Sequence, residues 1–414
     1  DTKATIVDLL DSDYLDPDAP DPDLYPRGTL LWNTRRSGNN VKIFRRTHID
    51  INENDGKNKR FKGTGETYNG GSEESMASYK VNRWVGYNTT AEDGSGLFGR
   101  KAQRKTIVAA LKSQVDTNDD IRDEETRAYT LLSAPGYPEL TSNLVSLNID
   151  RGITGFVVAD TPFRLKSSAT DVQSWANNSN NALADGEDGF LTYDEYMAAF
   201  YPSGFTTDLS GNNIVVPPSH MMLRTIALSD QVSFPWFAPA GTRRGGISNA
   251  SSVGFINDEG EFSPVSLNDG TRDTMQSAKI NPITFITGSG LVNFGQVTRA
   301  RNASALDRIN VARLTAYLRR QLNLLAKPFL FEPNDKITRD EIKQAAESLM
   351  LELVGQRALY DFLVVCDETN NTPARIDRNE LYLDIAIEPV KAVEFIYIPL
   401  RLKNTGEIAT LGAQ

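Results

Sequence analysis

The chain has 414 residues, 39% of them apolar and 24% charged, with a formal net charge of −10. This length predicts two to three domains and room for a sizeable core, while the acidic balance argues against a general nucleic-acid binder, which needs a basic footprint. One cysteine (Cys366) excludes an internal disulfide and a thiolate zinc cluster, two isolated histidines (His48 and His220) leave little for His-based catalysis, and no apolar run approaches the about 20 residues of a membrane helix.

The chain begins at Asp1 in polar sequence without a signal peptide, and it reads as a piece of a longer protein. Residues 1–26 are acidic and proline-rich, so they read as an extended linker. Residues 29–51 predict two strands about the turn Ser37-Gly38-Asn39-Asn40. Residues 52–100, rich in Gly, Asn, Ser and charge, predict a long loop or exposed excursion. A short helix is expected over 100–115, with Ile107, Ala110 and Leu111 on one face. From residue 127 the pattern becomes strand, helix and apolar strand: "AYTLLSAPG", "PELTSNLVSLNIDRG", "ITGFVVADTP". That is one βαβ unit with a parallel pair, and it lacks any glycine-rich phosphate cradle.

Residues 184–196, "ADGEDGFLTYDEY", look like a calcium loop. With Gly189 at the sixth position, Glu195 falls at the twelfth and Asp188 at the fifth, but Ala184 and Gly186 occupy the first and third. Starting at Asp185 puts Gly189 fifth and Tyr196 twelfth. Neither register supplies the oxygen ligands a hard cation needs. The expectation is an acidic loop feeding a helix N-terminus, with Asp194 and Glu195 set against the helix dipole.

The C-terminal part is the most regular. Ser304 to Asp307 is a helix start signal, and the helix runs to about Lys327. Thr338 to Glu341 predicts a second capping box, with a helix stopped by Gly355. "LYDFLVVCD" and "ELYLDIAIEP" read as strands, the second alternating Leu381, Leu383, Ile385 and Ile387 with Tyr382, Asp384, Ala386 and Glu388. "VEFIYIPLRL" follows as a strand apolar on both faces, and residues 403–414 form a polar tail.

Several of these segments, in order, resemble the contractile tail sheath proteins of myophages. The matching residues are Ala198-Ala199-Phe200-Tyr201-Pro202, Val216-Pro217-Pro218-Ser219, Asp230, and Trp236-Phe237-Ala238-Pro239-Ala240-Gly241. Ile280-Asn281-Pro282, Gly288, Gly290, Gly295, Thr298, Arg299, Asn310-Val311 and Arg313 follow collinearly, with "FLFEPND" and the terminal strands after them. The likeness covers about residues 127–414. "RRSGNNVKIF" is a weaker match upstream. His220 stands where the family usually has glycine or alanine, and Gln296 where it has the alanine of W-G-A-R-T. The family's N-terminal strand-donating arm is not evident.

The resemblance implies a mixed α/β fold, a mixed β-sheet flanked by helices over 121–414; the residues of 1–120 add a linker and an accessory, loop-rich, mainly β N-terminal or inserted region. The core would divide into 127–240 and 241–414. It implies a structural role: homo-hexameric rings stacked helically round a tail tube protein, with baseplate and tail terminator proteins as further partners. Contraction would drive the tube through the host envelope. The subunit would belong to the virion, be assembled in the host bacterial cytoplasm, and need no cofactor, nucleic acid or membrane insertion. A related contractile injection system is an alternative. An adhesin resting on residues 52–100 is another, and a hydrolase lacks its G-x-S-x-G elbow.

Two surfaces are candidates for assembly. On helix 305–327, Val311, Leu314, Leu318, Leu322 and Leu325 make an apolar stripe, and Arg313, Arg320 and Lys327 fall opposite at spacing seven. This basic stripe is either solvated or faces an acidic tube or neighbour, and Arg313 and Arg320 are then reversible to Glu without loss of stability. The next helix, with Lys343 and Arg357, is an equal candidate. The second surface is the terminal strand, with Val393, Phe395, Ile396, Ile398, Leu400 and Leu402, which would be an aggregation hazard unless paired. The family pairs such segments between subunits by β-augmentation.

Overall fold

A computed structural model describes residues 98–124, 126–257 and 260–394. The strands expected at 29–51 and most of the loop expected at 52–100 lie outside the described residues. Helix α1 (Phe98–Thr117) covers the stretch expected as helical. It buries Val108, whereas Leu111 is exposed.

The βαβ unit forms as its pattern predicts. Strand β1 (Leu131–Leu132) pairs in parallel with β2 (Phe156–Asp160) across helix α2 (Thr141–Asp150). Gly152, at φ +73°, takes the left-handed conformation that ends α2. Helix α1 lies against this unit: Arg104 pairs with Glu139, and Asn143 donates to both oxygens of Asp116 at 2.9 Å. After helix α3 (Ala169–Ala176) comes β3 (Met197–Tyr201).

Strand β3 corrects the sequence reading of this stretch as a helix start. "MAAFY" is fully buried and lies between β2 and β8 (Ile280–Ile286), parallel to both. A central parallel strand is covered on both faces, so it demands a continuous apolar run, and that demand overrides the helix preference of Met and Ala. Asp194 serves a turn rather than a helix dipole, accepting from the Tyr196 N–H at 2.7 Å.

Between β3 and β8 the chain builds a second, antiparallel sheet, ordered β5-β4-β6-β7. Its strands are β4 (Ser203–Thr207), β5 (Asn213–Val216), β6 (Ser252–Ile256) and β7 (Phe262–Pro264). Helices α4 (Pro218–Val232) and α5 (Asp269–Ser277) lie in the same interval. Strand β9 (Gly290–Asn293) closes the first sheet antiparallel to β8, giving the order β1-β2-β3-β8-β9. This sheet draws strands from both sides of residue 240.

Strand alternation divides the core about this sheet. Val157, Ala159, Met197, Ala199 and Tyr201 face one cluster with Leu144, Trp175 and Met275 of α2, α3 and α5. Phe156, Val158, Ala198 and Phe200 face another with Met221, Met222 and Ile226 of α4. Helices therefore cover both faces, as a mostly parallel sheet requires.

The C-terminal module comprises helix α6 (Ile309–Ala326), helix α7 (Lys336–Gly355), β10 (Leu359–Val365) and β11 (Asp384–Pro389). Ser304 caps the short turn before α6 by accepting from Leu306 N–H. The N-cap of α7 is Asp335, which accepts from Thr338 N–H, so this helix starts ahead of the expected Thr338 box. Strands β10 and β11 are antiparallel, with Val365 opposite Asp384. Ile385 and Ile387 pack against a third cluster with Leu314, Leu318, Met350 and Leu353, as the alternation predicts.

Candidate assembly surfaces

Helix α6 is wedged between two bodies. Ile309, Ala312 and Ala316 enter the second core cluster, while Leu314 and Leu318 enter the third. The first half of the helix is therefore buried all round, and it has no solvent side for a basic stripe. Arg313 is corrected accordingly: its side chain is 4% exposed and ion-pairs with Asp230 near the end of α4. Periodicity located the apolar stripe but not the second body that covers the opposite side. Arg320 is half-buried and Lys327 exposed, the latter in the turn Lys327–Phe329 that follows α6.

Lys343 and Arg357 stand in different surroundings. Lys343 is half-buried on the side of Asp367, whose carboxyl is held below its ordinary range mainly by bonds from Thr369, with a smaller contribution from Lys343. Arg357 is exposed, at φ +64°, and joins a basic cluster that the sequence analysis missed. Its companions are Arg243 and Arg244. The Arg244 guanidinium is held below its ordinary value by burial first, then by Arg243 and Arg357. The Trp236 indole N–H donates to the Gln356 carbonyl at 3.2 Å, and Arg244 lies 4.4 Å over the Phe237 ring. The W-F-A-P-A-G motif thus forms an aromatic floor that brings the two distant arginine sites together. The sequence had singled out Arg357 with Lys343, and the adjacent pair in "GTRRGG" was the available signal for the rest of the cluster, but nothing local joined the two.

The terminal strand is described only at its root. Val393 is 79% exposed. Phe395, Ile396, Ile398, Leu400 and Leu402 lie outside the described residues. Residues 390–394 lie over the start of α6: Val390 N–H donates to Ala358 O at 3.0 Å, and Asn310 Nδ2 donates to Val390 O at 3.3 Å. Glu394 accepts from Arg308 and from Gln296. Strands β10 and β11 pair with one another alone among the described residues, and Tyr360 and Leu363 of β10 are 65% and 61% exposed.

The calcium-like loop is closed by the protein's own donors. Asp185 Oδ1 accepts from Leu191 N–H at 2.6 Å and Thr192 N–H at 3.0 Å, and Oδ2 accepts from the Thr192 hydroxyl. Trp175, stacked on Phe190 at 4.8 Å, donates to Gly186 O at 2.8 Å. Among the described residues no three His, Cys, Asp or Glu side chains converge on a common point.

The C-terminal end of β2 is where open α/β sheets commonly bind ligands. Here the protein fills that place itself. Asp160 accepts from Gly136 N–H at 2.7 Å, from Ser219 N–H at 2.6 Å and from the Ser219 hydroxyl at 2.8 Å. Its buried carboxylate thus occupies the N-terminus of α4, the position an anionic ligand would take. Burial pushes its pKa up to about 6, against the lowering effect of these bonds.

Comparison with known proteins agrees with this architecture. Residues 302–403 match the family model of the phage tail sheath C-terminal domain, which spans α6 to β11 and beyond. The chain is 39% identical over 170 residues to the tail sheath protein of Vibrio phage KVP40, covering 41% of this chain and 24% of that protein. It is 34% identical over 183 residues to the tail sheath protein of Enterobacteria phage T4, covering 44% of this chain and 26% of that protein. The chain thus spans about a quarter of the length of these relatives. Among solved structures, its fold is similar to the sheath complex of an extracellular contractile injection system, PVC, in the contracted state. There the TM-score is 0.55 at 20% identity, covering 73% of this chain and 75% of that chain. It is also similar to the helical sheath of the anti-feeding prophage in the contracted state, with a TM-score of 0.53 at 20% identity, covering 71% of this chain and 74% of that chain.

Proposed function

We infer that this chain, a relative of myophage tail sheath proteins that carries their C-terminal domain over residues 302–403, works as a structural subunit of a contractile phage tail sheath. Its relatives by sequence are structural proteins, in keeping with the reading that it is not an enzyme. In this proposal residues 121–414 form the sheath core, and copies assemble as six-fold rings stacked helically round a tail tube. Baseplate and terminator proteins bound the stack. The subunit assembles in the host cytoplasm and ends in the virion. Contraction draws on energy stored in subunit contacts, without nucleotide or metal.

The observation that carries this reading is the C-terminal module. Its family match coincides with a two-stranded sheet whose outer edges carry no further strand among the described residues. The chain then continues into a segment apolar on both faces. An open edge, followed in sequence by an apolar segment, suits exchange between neighbouring copies. Negative-stain microscopy of the full chain at rising concentration, with and without tail tubes, tests it. Helical or ring-shaped polymers are expected, and removal of residues 403–414 should leave a folded chain that polymerises poorly. Unchanged assembly by the truncated chain would rule out the terminal exchange.

A further inference from the structure

Glu394 is held at three points where the chain leaves the C-terminal module. Arg308 grips its carboxylate with a fork, Nε to Oε1 at 2.5 Å and Nη2 to Oε2 at 2.9 Å. Gln296 Nε2 donates to Oε1 at 2.9 Å. A two-pronged guanidinium–carboxylate contact fixes direction as well as distance. The carboxylate also sits at the start of α6, where Arg308 is the N-cap residue and the helix pole favours negative charge.

One support of this contact is itself buried. Gln296 is 7% exposed, and its backbone carbonyl accepts from Ile309 N–H at 2.9 Å. The partner of its side-chain amide lies 98 positions away. Meanwhile Val393, the neighbour of Glu394, stays 79% exposed. The root of the segment is tied down by a polar handle while its apolar side chain faces outward.

We propose that Arg308, Gln296 and Glu394 form a clamp that fixes the direction of the chain at residue 394, so that Glu394 is a positioning residue for pairing of the sequence that follows with a second copy of this chain. The pairing rests on the sheath reading; the clamp itself does not. Arg308 and Glu394 side chains are 34% and 28% exposed, so the clamp is open to screening by salt and can release.

The test uses the full chain with Glu394→Ala, Gln296→Ala, Arg308→Glu, and the swap Arg308→Glu with Glu394→Arg. Amide exchange at 390–394 is read on the monomer, and polymer yield by sedimentation. Loss of a charge-assisted bond predicts about tenfold faster exchange in Glu394→Ala. Gln296→Ala should give a smaller rise in the same direction. Polymer yield should fall with exchange protection while the melting temperature holds, and the swap should restore both. Unchanged exchange in Glu394→Ala, or a loss of polymer that the swap does not repair, would overturn the clamp. If the unmodified chain forms no polymer with or without tubes, the sheath reading fails, and the exchange arm still decides the clamp.

Discussion

Asp160 and Arg299 bring charge into the interior by different means. Arg299 is fully buried, and its guanidinium donates to backbone carbonyls. It donates to the carbonyls of Ala278 and Ala176, both at 3.1 Å, and lies 4.5 Å from the Phe190 ring and 4.4 Å from that of Tyr193. Those carbonyls sit at the ends of α5 and α3, the negative poles of the two helices. Burial lowers its pKa to about 10, which leaves it charged at neutral pH. Asp160 is the opposite case, an anion at a helix N-terminus whose pKa burial raises to about 6. Its unfolded value is about 4. The folded state thus binds this proton more tightly than the unfolded chain. The stability it contributes is full below about pH 4 and is lost as pH rises to about 6. Asp160→Asn cannot titrate, so it should remove that slope in denaturation curves taken between pH 4 and 7. It should also cost about 1–3 kcal/mol, since an amide nitrogen would face a backbone donor. A variant with wild-type stability and slope would refute this account.

At the scale of the element, α6 decides what its arginines can do. The same helix presents Arg313 to the interior and Arg320 to the rim. Arg313→Ala leaves Asp230 without its ion partner beside a closed interface, and it should cost about 3–5 kcal/mol in urea unfolding. Arg320→Glu should stay within about 0.5 kcal/mol of wild type, as surface changes do. Equal effects at the two positions would contradict the wedged placement of α6. The contrast also shows where helical periodicity stops being informative. A 100° wheel identifies the face that is apolar, but it does not say how many bodies surround the helix. The stretch 197–201 taught the same lesson for strands. Five consecutive apolar residues suit a buried strand or a buried helix equally, and the neighbours β2 and β8 settled the matter.

At the scale of the whole molecule, like charges gathered with no ion pair among the described residues make a candidate surface for a partner. Arg243 and Arg357 are exposed and flank Arg244 over the Trp236-Phe237 floor. In a chain of net charge −10, a second copy in the proposed sheath would offer acidic surface to such a cluster. Arg243→Glu with Arg357→Glu should lower polymer yield and flatten its dependence on salt, with the monomer's melting temperature little changed. Superimposable yield-against-salt curves for variant and wild type would remove this cluster from the interface. Much of the molecule was legible in advance. The βαβ unit, the C-terminal helices and the alternating β11 were written in period, caps and turns, which act over a few residues. Ser219, Asp230 and Arg299 were picked out by resemblance, but their roles were not. Those roles needed partners brought from afar: Asp160 for Ser219, Arg313 for Asp230, and two helix ends for Arg299. Glu394 meets Arg308 across 86 positions. Local sequence determines which elements form because their hydrogen bonds and side-chain spacing close within themselves. Which charge is buried and which strand root is held was decided only when distant elements came into contact and displaced the water between them.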